Sequence, residues 1–123
     1  MNRSELIRRM VLNAISDDYE NVDQVILRDV VQDGAKLGFT IERSDIVDAL
    51  AELIEDGLAK AYVMSSMDRA QELQGMPQLD VVEEDFKTYF YITKKGMDLH
   101  LSDDTWWPFG DEAKPHASTK EKP

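Results

Sequence analysis

ERSDIVDALAELIEDGLAKAYVM, residues 42–64, sets the architecture of this chain. Ile46, Leu50, Leu53 and Ile54 recur at the spacing of a helix with one apolar face, and Gly57 stands where such a helix stops. A third helix is therefore expected from between Thr40 and Glu42 to Gly57. From Leu58 to Met64 the period falls to two, Ala59, Ala61 and Val63 opposing Leu58, Lys60, Tyr62 and Met64, which predicts a strand. A second stretch, FKTYFYITKKG at residues 86–96, completes the pattern. Phe86, Thr88, Phe90 and Ile92 alternate with Tyr89 and Tyr91, so Phe86 to Ile92 reads as a strand pairing antiparallel with the first. Thr93 then caps a last short helix, Lys94 to Leu101, with Met97 and Leu101 turned inward.

Two helices are expected upstream. Ser4 is the expected N-cap of a first helix carrying Leu6, Ile7, Met10, Val11 and Ala14, ending near Ser16 to Asp18. Leu12 and Ile15 widen its apolar arc beyond one core face. Either the helix is buried on two sides within its own domain, or these residues receive a second copy or the C-terminal segment. Asn21 and Gln24 have the spacing of a capping box, and Val22, Val25, Ile26 and Val30 give a second helix toward Leu37, stopped by Gly38. The β-branched run leaves a strand open there, but Arg28, Asp29 and Asp33 at helical intervals weigh toward helix. Ser65 to Asp85 is too long for a tight hairpin and contains the breaker Gly75-Met76-Pro77. Met67 to Leu73 fits one short helical turn.

At 123 residues, 42% of them apolar, the chain fits one domain with one core, residues 1–102, followed by a tail, residues 103–123. The absence of cysteine excludes disulfides, thiolate-bound zinc and thiol catalysis. The charged N-terminus lacks a signal-peptide core and no stretch reaches membrane-spanning length, so a cytoplasmic location is expected, with no membrane partner. The tail loses periodicity and is expected to be disordered beyond Trp106, Trp107 and Phe109, an aromatic group that needs a cover.

Three helices, a β-hairpin and a closing helix resemble a winged helix-turn-helix: α+β, mostly α, with a two- to three-stranded antiparallel wing. Leu50-x-x-Leu53-Ile54-x-x-Gly57-Leu58 looks like the end of a recognition helix turning into the first wing strand. Phe90-Tyr91-Ile92-Thr93-Lys94-Lys95-Gly96 is similar to the second wing strand and following helix of transcriptional regulators of the multidrug-resistance and phenolic-acid type. The resemblance covers roughly residues 3–101. It implies that Glu42 to Asp56 would enter a DNA major groove and that Ser65 to Asp85 would touch the backbone.

Both segments depart from that pattern in charge. The formal net charge is -11. Glu42 to Gly57 holds Arg43 against Glu42, Asp45, Asp48, Glu52, Glu55 and Asp56, and Ser65 to Asp85 holds Arg69 against Asp68, Glu72, Asp80, Glu83, Glu84 and Asp85. At about 100° per residue Asp48, Glu52 and Glu55 fall within an arc of about 60° opposite the apolar stripe, on the face a groove would meet. Each carboxylate within about 4 Å of a phosphate costs on the order of 1 kcal/mol in water, with no counterion release to offset it.

No catalytic residue, cofactor or metal site is expected. His100 and His116 are the only histidines and are not ligand-spaced; there is no phosphate-binding glycine loop, nucleophile elbow or HExxH. The leading expectation is a non-enzymatic interaction module, self-associating as a homodimer, in which Asp45, Asp48, Glu52 and Glu55 face solvent or a basic protein. Leu12, Ile15, Trp106, Trp107 and Phe109 are the residues for dimer or tail docking. The alternative is a DNA-binding regulator of the same fold, disfavoured by charge, using Arg3, Arg8, Arg9, Lys94 and Lys95 as an anion patch.

Overall fold

The helix expected to end at Gly57 forms as α3 (Arg43–Glu55) in a computed structural model that describes residues 2–66, 69–79, 82 and 87–102. Asp45 Oδ2 accepts from the backbone N–H of Glu42 at 2.9 Å, the reaching-back limb of a capping box. Gly57, at φ 77°, closes the other end. Leu58 N–H donates to the Leu53 carbonyl at 2.8 Å and Gly57 N–H to that of Ile54 at 3.0 Å, the two bonds of a Schellman closure. α2 (Leu27–Lys36) ends in the same way at Gly38, with Phe39 N–H on the Gly34 carbonyl at 2.8 Å.

α1 (Arg3–Ala14) begins two residues earlier than expected. Its cap is Asn2, not Ser4: Asn2 Oδ1 accepts from Glu5 N–H at 2.8 Å. Either side chain has the chemistry of a cap, and Asn2 is the one that reaches the third N–H of the helix. Asn21 is a cap as expected, but it serves Asp23 N–H at 2.8 Å rather than closing a box with Gln24. Its Nδ2 donates to the Thr88 carbonyl at 2.7 Å. The segment it opens is a π-helical turn, Val22–Ile26, that runs directly into α2. Helix, not strand, is thus the outcome for the β-branched run.

The sheet has three antiparallel strands in the order β2-β1-β3: β1 (Ala59–Ser66), β2 (Arg69–Glu72) and β3 (Thr88–Ile92). Ala59 stands opposite Ile92 and Ala61 opposite Phe90, and these four are buried against the helices. β2 replaces the helical turn expected over Met67 to Leu73. Folding back pairs the free edge of β1, Tyr62 opposite Glu72 and Met64 opposite Ala70, whereas an isolated helical turn carries the cost of nucleation without a partner surface. The core joins Ile7, Met10, Val11, Leu12 and Ile15 of α1 to Ile46, Leu50 and Leu53 of α3, with Phe90 the largest fully buried side chain among the described residues.

α4 (Lys94–Ser102) is rotated from the expected face. Leu101 is 43% exposed, and the buried positions are Gly96 and His100; Met97 and Leu99 pack at its margin. The reason is a close approach at Gly96, where an added Cβ would lie 2.2 Å from the Leu58 carbonyl oxygen. Around that contact the TKKG string closes the end of α3. Thr93 N–H donates to the Leu58 carbonyl at 3.0 Å, Thr93 Oγ1 donates to the Gly57 carbonyl at 2.7 Å and accepts from Gly96 N–H at 3.0 Å, and Lys95 Nζ donates to the Asp56 carbonyl at 2.9 Å. Three successive carbonyls at and just past the helix end are thereby satisfied. Lys95 gains nothing from the dipole of its own helix; its ammonium serves the negative end of α3.

Among the described residues no helix is long and apolar enough to cross a membrane. Gly96→Ala should cost about 3 kcal/mol, the upper end of overpacking, because the obstacle is backbone. Gly34→Ala, whose Cβ meets the movable Cδ1 of Ile41, should cost nearer 1 kcal/mol. Urea denaturation of the two variants checks the order.

Candidate functional site

Asp45, Asp48 and Glu52 leave α3 on its side facing α1, where Arg3 and Arg8 meet them. With Ser4, Ile7 and Ala49 they line a groove of about 120 Å³. Arg3 Nη2 lies 3.2 Å from Asp45 Oδ2 and 2.9 Å from the Thr40 carbonyl, with its guanidinium 5.9 Å above the Phe39 ring. Arg8 Nη1 lies 2.5 Å from Glu52 Oε1. Asp48 sits between the two pairs, exposed, and Glu55 follows one turn on, also exposed. Neither has an ion-pair partner among the described residues. Of the four acids singled out, Asp48, Glu52 and Glu55 are exposed and Asp45 is half-buried, and α1 pairs with Asp45 and Glu52.

The hydrogen bond from the Glu42 backbone, followed by that from Arg3, holds the Asp45 carboxyl below the usual carboxylate range against an opposing effect of burial. A carboxyl depressed in the folded state adds stability above its unfolded pKa and loses it as pH falls through the folded value. Asp45→Ala should accordingly cost about 1 kcal/mol near neutrality, as loss of a cap does. The gap to the parent should close as acid protonates Asp45 in the parent, which thermal melts at a series of pH values would register.

Arg43 is the one cation of α3, and under a groove-binding reading it is the residue that would face DNA. It is instead turned inward. Its Nε and Nη2 contact Asp23 Oδ1 and Oδ2 at 2.7 and 3.1 Å, and its Nη1 donates to the Leu79 carbonyl. The Asp23 side chain is 5% exposed and that of Arg43 19%. Arg43 thus joins the π-helical turn, the start of α3 and the segment after β2. Counting charge along α3 did not reveal this pairing, because Asp23 belongs to another element.

Each cation of the alternative reading has a partner. Arg3 and Arg8 are spent on Asp45 and Glu52, and Arg9 Nη1 points to the Leu99 carbonyl at 3.5 Å. Lys94 pairs with Asp98 at 3.2 Å along its own helix, and Lys95 is occupied at the end of α3. α1 and α4 touch; Arg3, Arg8 and Lys94 have carboxylate partners, and Arg9 and Lys95 donate to carbonyls. Arg69 of β2 is exposed.

Leu12 and Ile15, expected to receive the tail or a second copy, are 1% and 0% exposed and belong to the core. The wide apolar arc of α1 is explained by burial on two sides. Leu12 also floors a groove of about 240 Å³ between α1, the end of α3 and α4, with Leu53, Leu58 and Leu99. Both grooves fall below the roughly 300–1,000 Å³ of small-molecule sites. Trp106, Trp107 and Phe109 lie outside the described residues. Among the described residues no three His, Asp or Glu side chains are grouped to hold a metal ion. The chain has no significant match among family models, curated proteins or solved structures.

Proposed function

We propose that this chain is a non-enzymatic winged-helix interaction module whose α3 face, centred on Asp48 and Glu55, receives a basic segment of a partner protein. The fold reading rests on the order of elements and on the resemblance of the two strings that meet at Gly57 and Gly96 to winged-helix regulators of the multidrug-resistance and phenolic-acid type. The single observation that carries the functional reading is the withdrawal of Arg43 into its contact with Asp23. A groove-reading helix whose only cation is half-buried in an ion pair, and whose outer face presents carboxylates, repels phosphate. The homodimer expectation now depends on the aromatic tail alone, since Leu12 and Ile15 are core residues.

Random duplex DNA should show no measurable binding even at low salt. An affinity that falls steeply as salt rises would instead support the regulator reading. A lysine-rich helical peptide should bind at low salt and perturb the α3 amides. Asp48→Asn combined with Glu55→Gln should weaken it by a few-fold, about what two exposed ion pairs supply; unchanged affinity contradicts the assignment.

A further inference from the structure

All four tyrosines of the chain gather on the side of the sheet turned away from the helices. Tyr62 of β1 stands opposite Tyr89 of β3, and Tyr91 stands opposite Lys60, while the alternating Ala61, Phe90 and Ile92 enter the core. Tyr19, from the segment after α1, lies against this face. Its ring centroid is 4.8 Å from that of Tyr91, inclined at 29°, and 5.1 Å from that of Tyr62, edge-on at 88°. The next residue locks it in place: Glu20 N–H donates to the Phe90 carbonyl at 3.0 Å, and Phe90 N–H to that of Glu20 at 2.9 Å.

Internal packing uses these rings only in part, Tyr91 alone touching the edge of the core. All four are partly exposed, no described group hydrogen-bonds a tyrosine hydroxyl, and Tyr89 has no ring partner among the described residues. A cluster of half-exposed aromatic rings with free polar tips is the composition of binding surfaces. Its setting is acidic. Asp17 and Asp18 precede Tyr19, and Glu72 stands opposite Tyr62. Burial, then the carboxylates of Asp18, Asp29 and Asp17, push the Glu20 carboxyl up. Lys60 shares the face but is tied to Glu72 at 3.3 Å, and Lys87 is engaged as well.

We propose that the tyrosine face is a second binding surface, which takes an arginine-bearing segment of a partner protein by laying guanidinium groups on the rings. Ring faces attract cations, and a planar guanidinium stacks on them where a compact, strongly hydrated ammonium does so less well. Within this chain Arg3 already lies over Phe39. Charge separates this occupant from its rivals. Nucleic-acid bases would stack equally well but bring phosphates toward a chain of net charge -11, and a second copy brings the same charge again. The proposal stands on the tyrosines and not on α3, so either surface can fail without the other.

The test is a titration of the full chain with an arginine–glycine peptide and its lysine–glycine counterpart at physiological salt, following the tyrosine ring resonances. The arginine peptide should move the signals of the four rings and the lysine peptide should move them less. Tyr91→Leu, which keeps apolar bulk, should weaken arginine-peptide binding about two- to five-fold, whereas Tyr91→Phe should leave it unchanged. Tyr89→Leu, at a ring without a partner, gives the same reading should Tyr91→Leu unfold. Asp48→Asn and Glu55→Gln should leave the ring shifts in place. Ring signals that stay still, equal response to lysine, full binding by both leucine variants, or shifts with oligothymidylate in place of the arginine peptide would each overturn the proposal.

Discussion

Arg43 and Asp23 hold the molecule's electrostatic design together. The two-pronged contact, at 2.7 and 3.1 Å, has an aspartate side chain that is almost fully enclosed, so removing either partner strands the other charge away from water. Through it the π-helical turn, the first residue of α3 and the Leu79 carbonyl are fixed relative to one another. Its electrostatic consequence is as important as its mechanical one. With Arg43 turned inward, the outer side of α3 is left with carboxylates, of which Asp48 and Glu55 have no ion-pair partner among the described residues.

Two other arginines follow a similar rule. Arg3 and Arg8 cross from α1 to Asp45 and Glu52 at sites that are partly exposed, where each pair is worth only about 0.2–1 kcal/mol to stability. Their larger effect is on the field, since each cancels one carboxylate and leaves Asp48 and Glu55 as the uncompensated pair. The tyrosine face adds a surface of different chemistry, aromatic rather than simply acidic. Both suit a positively charged partner.

What sequence reading captured is what neighbouring residues determine. The apolar stripe Ile46, Leu50, Leu53, the stop at Gly57, the two-residue alternation of Thr88, Phe90 and Ile92, and the Thr93 cap all depend on residues a few positions apart. What it missed depends on distant partners. Asp23 and Arg43 are 20 residues apart and Arg8 and Glu52 are 44 apart, so a tally of charge per segment could assign sign but not pairing. The role of Lys95 is not legible locally, because its partner, the Asp56 carbonyl, is 39 residues away. Leu12 and Ile15 were ambiguous for the same reason: a wide apolar arc reports burial without naming what covers it. Tyr19 lies in no periodic segment, and only the bridge from Glu20 to Phe90 brings it to the sheet.

The most direct measurement is a double-mutant cycle in folding free energy on Asp23→Asn and Arg43→Gln, run at low and high salt. A buried, two-pronged pair should give a coupling of about 1.5–3 kcal/mol that high salt barely reduces, with each single variant destabilised. Additive single variants, or a coupling that vanishes with salt, would mean that Arg43 is free to face outward, and the exclusion of phosphate from α3 would lose its basis.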